Sequence, residues 1–132
     1  MSKQNVEIVR RMLDAFHRGD AEGSLACFDD EIVFDASRRV DGGIAHGHRE
    51  LSRSLAEWLG AWEEWREEID DIRDLGDDRV YMAATQRGRG KGSGLEIENR
   101  YALIYEIEGD KITRMTLYTD PADAVEDAGP SE

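Results

Sequence analysis

The first thirty-five residues limit what this chain can fold into more than any other part of it. Val6, Val9, Leu13 and Phe16 fall on one helical stripe, which Ile8 and Met12 widen. Ser2 reads as the N-cap of this first helix and Gly19 as a left-handed stop. Asp20 then caps a second, short helix from Ala21 to about Phe28. After the acidic turn Asp29-Asp30-Glu31, the β-branched and aromatic run Ile32-Val33-Phe34 reads as a first strand.

The rest of the chain changes period. Residues 36–47, with Ser37, Asp41 and Gly42, Gly43 and Gly47, read as a loop, and Leu51, Leu55, Trp58, Leu59 and Trp62 as the stripe of a third helix. From Glu63 to Leu75 two patterns compete: Trp65, Ile69 and Ile72 continue the helical spacing, whereas Trp65, Glu67 and Ile69 alternate as a strand with a bulge before Ile72. Strands follow at Arg79–Arg89, Gly94–Ile107 and Lys111–Thr119, with turns at Gly76-Asp77-Asp78 and Gly109-Asp110. A short helix opens at Pro121. The expected organisation is one domain over residues 1–128 with a frayed acidic tail, 129–132.

Charge narrows the partners. Thirty acidic residues against seventeen basic give a net −13, which repels nucleic acid and anionic lipid. No run approaches the length of a membrane span, so a cytoplasmic protein is expected. Cys27, the single cysteine, sits between Ala26 and Phe28 and reads as a small buried hydrophobe. Arg87, Arg89 and Lys91 form a basic island in Gly88-Arg89-Gly90-Lys91-Gly92-Ser93-Gly94. Ser93 stands where a dinucleotide fingerprint needs its third glycine, and Gly92 where a phosphate loop needs a hydroxyl, so the segment reads as a twisted hairpin.

The helix-Gly19-Asp20-helix opening, the Gly-rich hairpin, Gly109-Asp110-Lys111-Ile112-Thr113-Arg114 and the ending Tyr118-Thr119-Asp120-Pro121-Ala122-Asp123-Ala124 together resemble the SnoaL-like branch of the nuclear transport factor 2-like superfamily. The resemblance runs from about residue 4 to residue 128. It implies a cone-shaped α+β barrel, in which a curved, mixed but mainly antiparallel sheet wraps three N-terminal helices and leaves a pocket at the open end. It favours the strand reading of Glu63–Leu75 and implies a homodimer through the outer face of the sheet. Superposition on the ketosteroid isomerase pattern puts Ala36 at the general base and Met12 and Leu103 at the oxyanion donors. The limonene epoxide hydrolase pattern places its arginine at Arg87 and its two aspartates at Arg89 and Leu117. The aspartate of the polyketide cyclases also falls near Leu117. None of these catalytic sets is complete in this chain.

With the sheet phase that the superposition implies, Tyr81, Ala83, Thr85 and Arg87, then Asn99, Tyr101 and Leu103, then Met115, Leu117 and Thr119 face the pocket. Phe16, Phe34, Trp58 and Trp62 add aromatic walls, leaving Arg87, Asn99 and Tyr101 as polar handles. Asp35 is the acid/base candidate, because burial beside Phe34 would raise its pKa; the competing reading is a carboxylate paired with Arg38 or Arg39. His46 is the second candidate, as a proton shuttle near neutral pH, against a solvated or capping role. His46 and His48 with Asp35 or Asp41 match no familiar ligand spacing, so no metal is assigned, and the reactions considered need no cofactor. Two functions follow: a binder of a small, largely apolar or polycyclic molecule, with acid/base chemistry of isomerase, cyclase or hydrolase type, or a non-catalytic homodimeric module whose pocket is filled by its own side chains.

Overall fold

The computed structural model describes residues 2–39 and 42–129. Helix α1 (Ser2–His17) buries the predicted stripe, with Ile8, Val9, Met12 and Leu13 inside. It ends where Gly19 takes φ +81°, a conformation that an L side chain resists. Asp20 then accepts the Gly23 N–H at 2.9 Å and caps α2 (Ala21–Leu25), as its place in the sequence suggests. The Ser2 side chain, Asp41 and the acidic tail 130–132 lie outside the described residues.

Strands β1 (Phe28–Asp35), β2 (Ile44–His46), β3 (Trp62–Gly76), β4 (Arg79–Gly90), β5 (Glu96–Glu108) and β6 (Lys111–Tyr118) form one six-stranded sheet in the order β2-β1-β6-β5-β4-β3. The β1–β6 pair is parallel and the other neighbours are antiparallel, so the sheet is mixed. It stays open between the edge strands β2 and β3, a cone rather than a closed barrel. Helix α3 (Gly47–Gly60) follows β2, and α4 (Pro121–Ala128), capped by Asp120, ends the described chain. Residues Ile44–His46, read as loop from their glycine-rich surroundings, pair with β1 instead.

The ambiguous stretch after Trp62 is a strand. Its ladder to β4 shifts register between Ile69 and Asp71, so Ile69 opposes Ala84 and Ile72 opposes Met82. The extra residue at Asp70 lets apolar residues three apart share one face of a strand, which is why the spacing also looks helical. Trp62 belongs to β3 and not to the α3 stripe, because the helix ends at Gly60. Its indole lies over Gly88, where a Cβ would approach the ring at 2.6 Å. The glycine is required there by close packing.

The main core fills the concavity, where Met82, Tyr105, Met115 and Leu117 of the sheet meet Val9, Met12 and Leu51 of the helices. A smaller cluster lies on the opposite face of the sheet, where Tyr81, Ala83, Ile104 and Tyr118 pack with Ala124 of α4.

Candidate functional site

Between α1, α3 and the concave face of the sheet lies a cavity of about 430 Å³. Met12 and Phe16 come from α1, Leu55 and Trp58 from α3, and Phe34 from β1; Trp65, Met82, Leu103, Met115 and Leu117 complete its apolar wall. The rings are arranged edge to face: Phe16 meets Trp65 at 5.9 Å and 81°, and Trp58 meets Trp62 at 5.5 Å and 69°. At the mouth the Arg39 guanidinium lies 4.4 Å from the centre of the Trp58 ring.

Among the polar residues of this largely apolar wall, Glu67, Gln86 and Tyr105 lie side by side with its aromatic groups. The Glu67 side chain is 6% exposed, and its Oε1 lies 2.7 Å from His17 Nε2. An ionised carboxylate only accepts, so His17 donates from Nε2. That hydrogen bond raises the His17 pKa against the lowering effect of burial, and the charges of Glu67 and Asp14 add to it. Gln86 accepts at 3.0 Å from the Trp65 indole N–H. Tyr105 is fully buried, its hydroxyl has no hydrogen-bond partner among the described residues, and burial pushes its pKa well above the ordinary value, helped by the Glu67 charge.

Helices in the concavity of an open mixed sheet, with a cavity between them, are the arrangement that the family resemblance implies. The family model described as SnoaL-like domain matches residues 9–115. The chain belongs to the SnoaL-like domain family. The uncharacterized protein Rv0034 of Mycobacterium tuberculosis is 26% identical to it over 121 residues, which is 89% of this chain and 91% of the relative. Among solved structures, an NTF2-like protein of Burkholderia thailandensis shares 22% identity at a TM-score of 0.80, covering 96% of this chain and 98% of its own. TerC, crystallised with polyporic acid, shares 20% identity at a TM-score of 0.76, covering 96% and 99%. At these identities the structural likeness concerns the fold, which is that of an NTF2-like cone.

In this SnoaL-like cone the residues expected at the site divide into two groups. Phe16, Phe34, Trp58, Asn99, Tyr101 and Leu117 line the cavity. Thr85 and Arg87 do not, because β4 presents the opposite phase. Each residue of β4 pairs with the residue of β5 that brings the two numbers to a sum of 185, as in Met82↔Leu103 and Gln86↔Asn99. An odd position on one strand therefore shares a face with an even position on the other, and odd positions cannot face the pocket on both. Met82 and Gln86 point inward, and Tyr81, Ala83, Thr85 and Arg87 point outward. There Thr85 donates to Asp70 at 2.7 Å, and Arg87 bonds Glu98 and Glu68. Trp62 is buried behind the wall, against Gly88 and Trp58, and does not line the cavity.

Both acid/base candidates also lie off the cavity. Asp35 follows inward-facing Phe34 and so turns to the other side of β1. There it accepts from the Ser37 hydroxyl at 2.5 Å and the Ser37 N–H at 3.0 Å, and pairs with Arg114 at 3.2 Å. The two Ser37 bonds lower its pKa most, and Arg114 and Arg38 add to them, the reverse of the rise expected from burial. The ion-pair reading holds with Arg114 as the closest partner, in place of Arg38 or Arg39. His46 opposes Val33 on the same outward side, stands at the N-cap of α3 and is exposed; its N–H donates to Glu50 at 2.8 Å. His48 turns to the Phe28 carbonyl, at 3.0 Å.

Cys27 is buried, and burial raises its pKa, as for an inert core thiol. Glu67, Gln86, Tyr105 and His17 are the polar groups that the reading of the residues passed over. One signal was present for Glu67: it sits between Trp65 and Ile69 in their own alternation, a charge on the apolar phase of a strand.

Proposed function

We propose that this protein binds a small, largely apolar molecule carrying one or more flat rings inside the cone. The observation that carries the reading is the cavity itself. Its volume of about 430 Å³ is in the usual range for small-molecule sites, and its wall is mostly aliphatic and aromatic with a few fixed polar groups. Buried apolar walls of this size are stable with a ligand in contact and lose dispersion energy without one. That counts against a module whose own side chains fill the pocket. Similarity points the same way: one structural relative was crystallised with polyporic acid, and another is described as a putative polyketide cyclase of Xanthomonas campestris. A homodimer through the outer sheet face belongs to the same reading.

The test is mass spectrometry of freshly purified protein under native and denaturing conditions, on the wild type and on Ser54→Trp. Ser54 lines the cavity from α3, so an indole there occupies it. A mass excess that is present only in the native spectrum of the wild type is expected. An equal excess in both proteins would place the bound molecule elsewhere and overturn the reading.

A further inference from the structure

The reading of the cavity as a ligand site leaves open which group of the ligand it anchors, and Glu67 answers that. A carboxylate with a 6% exposed side chain, in a wall of Phe16, Trp65 and Tyr101, is costly unless its oxygens are hydrogen-bonded. His17 satisfies Oε1; Oε2 accepts no bond from a described residue. Gln86 lies directly opposite Glu67 on β4. Its carbonyl is engaged by the Trp65 indole, which leaves its two amide N–H groups as donors beside the carboxylate. Tyr105, on the same concave face and near enough to feel the Glu67 charge, has a fully buried hydroxyl without a partner.

We propose that the His17–Glu67 pair is the anchoring site of the cavity, and that it takes the hydroxyl of a planar, otherwise apolar molecule, a phenol or an enol. The assignment rests on the cavity being a ligand site. A hydroxyl donates to Glu67 Oε2 and keeps lone pairs for the Gln86 amide, so it fits an acceptor and a donor standing side by side. An ammonium ligand carries only donors and has nothing to accept from the Gln86 amide, and a carboxylate ligand would meet Glu67 itself. The rings of Phe16, Trp58 and Trp65 suit a flat partner. His17 is a positioning residue: its ring bridges solvent, where its side chain is 32% exposed, to the buried carboxylate, and holds Oε1 so that Oε2 is turned to the ligand.

The experiment compares 2-naphthol with 2-methoxynaphthalene, which has the same rings and no hydroxyl hydrogen, followed through quenching of tryptophan fluorescence. Wild-type protein should prefer 2-naphthol by about tenfold, the range of a hydrogen bond to a charged acceptor. Glu67→Leu should bring the preference to about one. Glu67→Gln, which keeps the shape, should reduce the preference by about threefold or more. His17→Ala should reduce it and His17→Gln, which retains a donor to Oε1, should restore it. An undiminished preference in both Glu67 variants, with binding that Ser54→Trp still abolishes, overturns this assignment alone. Absence of binding to the wild type, or binding that Ser54→Trp does not disturb, overturns the cavity reading together with it.

Discussion

Asp35 and His17 each form an ion pair, Asp35 with Arg114 and His17 with Glu67, and pH separates the two. Asp35 has a folded pKa below its ordinary 3.8, so its bonds to Ser37 and Arg114 stabilise the fold above that value and are lost as pH falls through the folded pKa. Asp35→Asn should therefore be less stable than wild type at neutral pH, by about 1 kcal/mol, with the gap closing in acid, as read by urea unfolding at several pH values. Ligand binding should be unaffected, because the side chain faces away from the cavity. His17 has the opposite sign. Its folded pKa lies above the unfolded 6.5, so the stability it draws from Glu67 is complete below that value and is lost as pH rises through the folded pKa. The stability difference between wild type and His17→Gln should shrink across that window; a constant difference from acid to alkaline pH would contradict the ion pair. Asp35 was prominent in the sequence because it ends the first strand beside Phe34. Which side of a strand a residue faces depends on pairing, and pairing is not written in the residue itself.

At the scale of elements, the helices and the order of strands were legible because their signals are local. The Gly19-Asp20 break and the alternation in β5 and β6 each depend on residues close in sequence. The bulge at Asp70 was legible as an alternative, since Ile72 falls out of step with Trp65, Glu67 and Ile69, but choosing it over a helix needed the family resemblance. The phase of β4 was not legible. It depends on how the hairpin between Gly90 and Glu96 sets the ladder to β5, and a shift of one residue there exchanges both faces of the strand. Single-cysteine variants check the phase, since Cys27 is buried. Arg87→Cys should react quickly with a water-soluble maleimide, while Gln86→Cys should react slowly and more slowly still with 2-naphthol bound. The reverse order would contradict the inward phase of Gln86.

For the whole molecule, whose net charge is −13, the outer sheet face still carries charges of both signs. Part of that face is covered by α4, which packs on Tyr81, Ile104 and Tyr118. The part left open carries alternating charges, with Arg87 bridging Glu68 and Glu98, and Arg89 near Glu64 and Glu96. A homodimer through that face would be joined largely by ion pairs. Light scattering should therefore find a dimer at low ionic strength that weakens toward monomer near 1 M salt, where screening reaches about 3 Å. A dimer indifferent to salt would place the interface elsewhere. Among the described residues no helix is long and apolar enough to cross a membrane.

Where a ligand sits is tested most directly by a crystal structure of the protein grown with 2-naphthol. The prediction is density for the rings between Phe16, Trp58 and Trp65, with the hydroxyl oxygen within hydrogen-bond distance of Glu67 Oε2. Density on the outer face of the sheet, or a cavity closed by its own side chains while the probe is bound elsewhere, would contradict it.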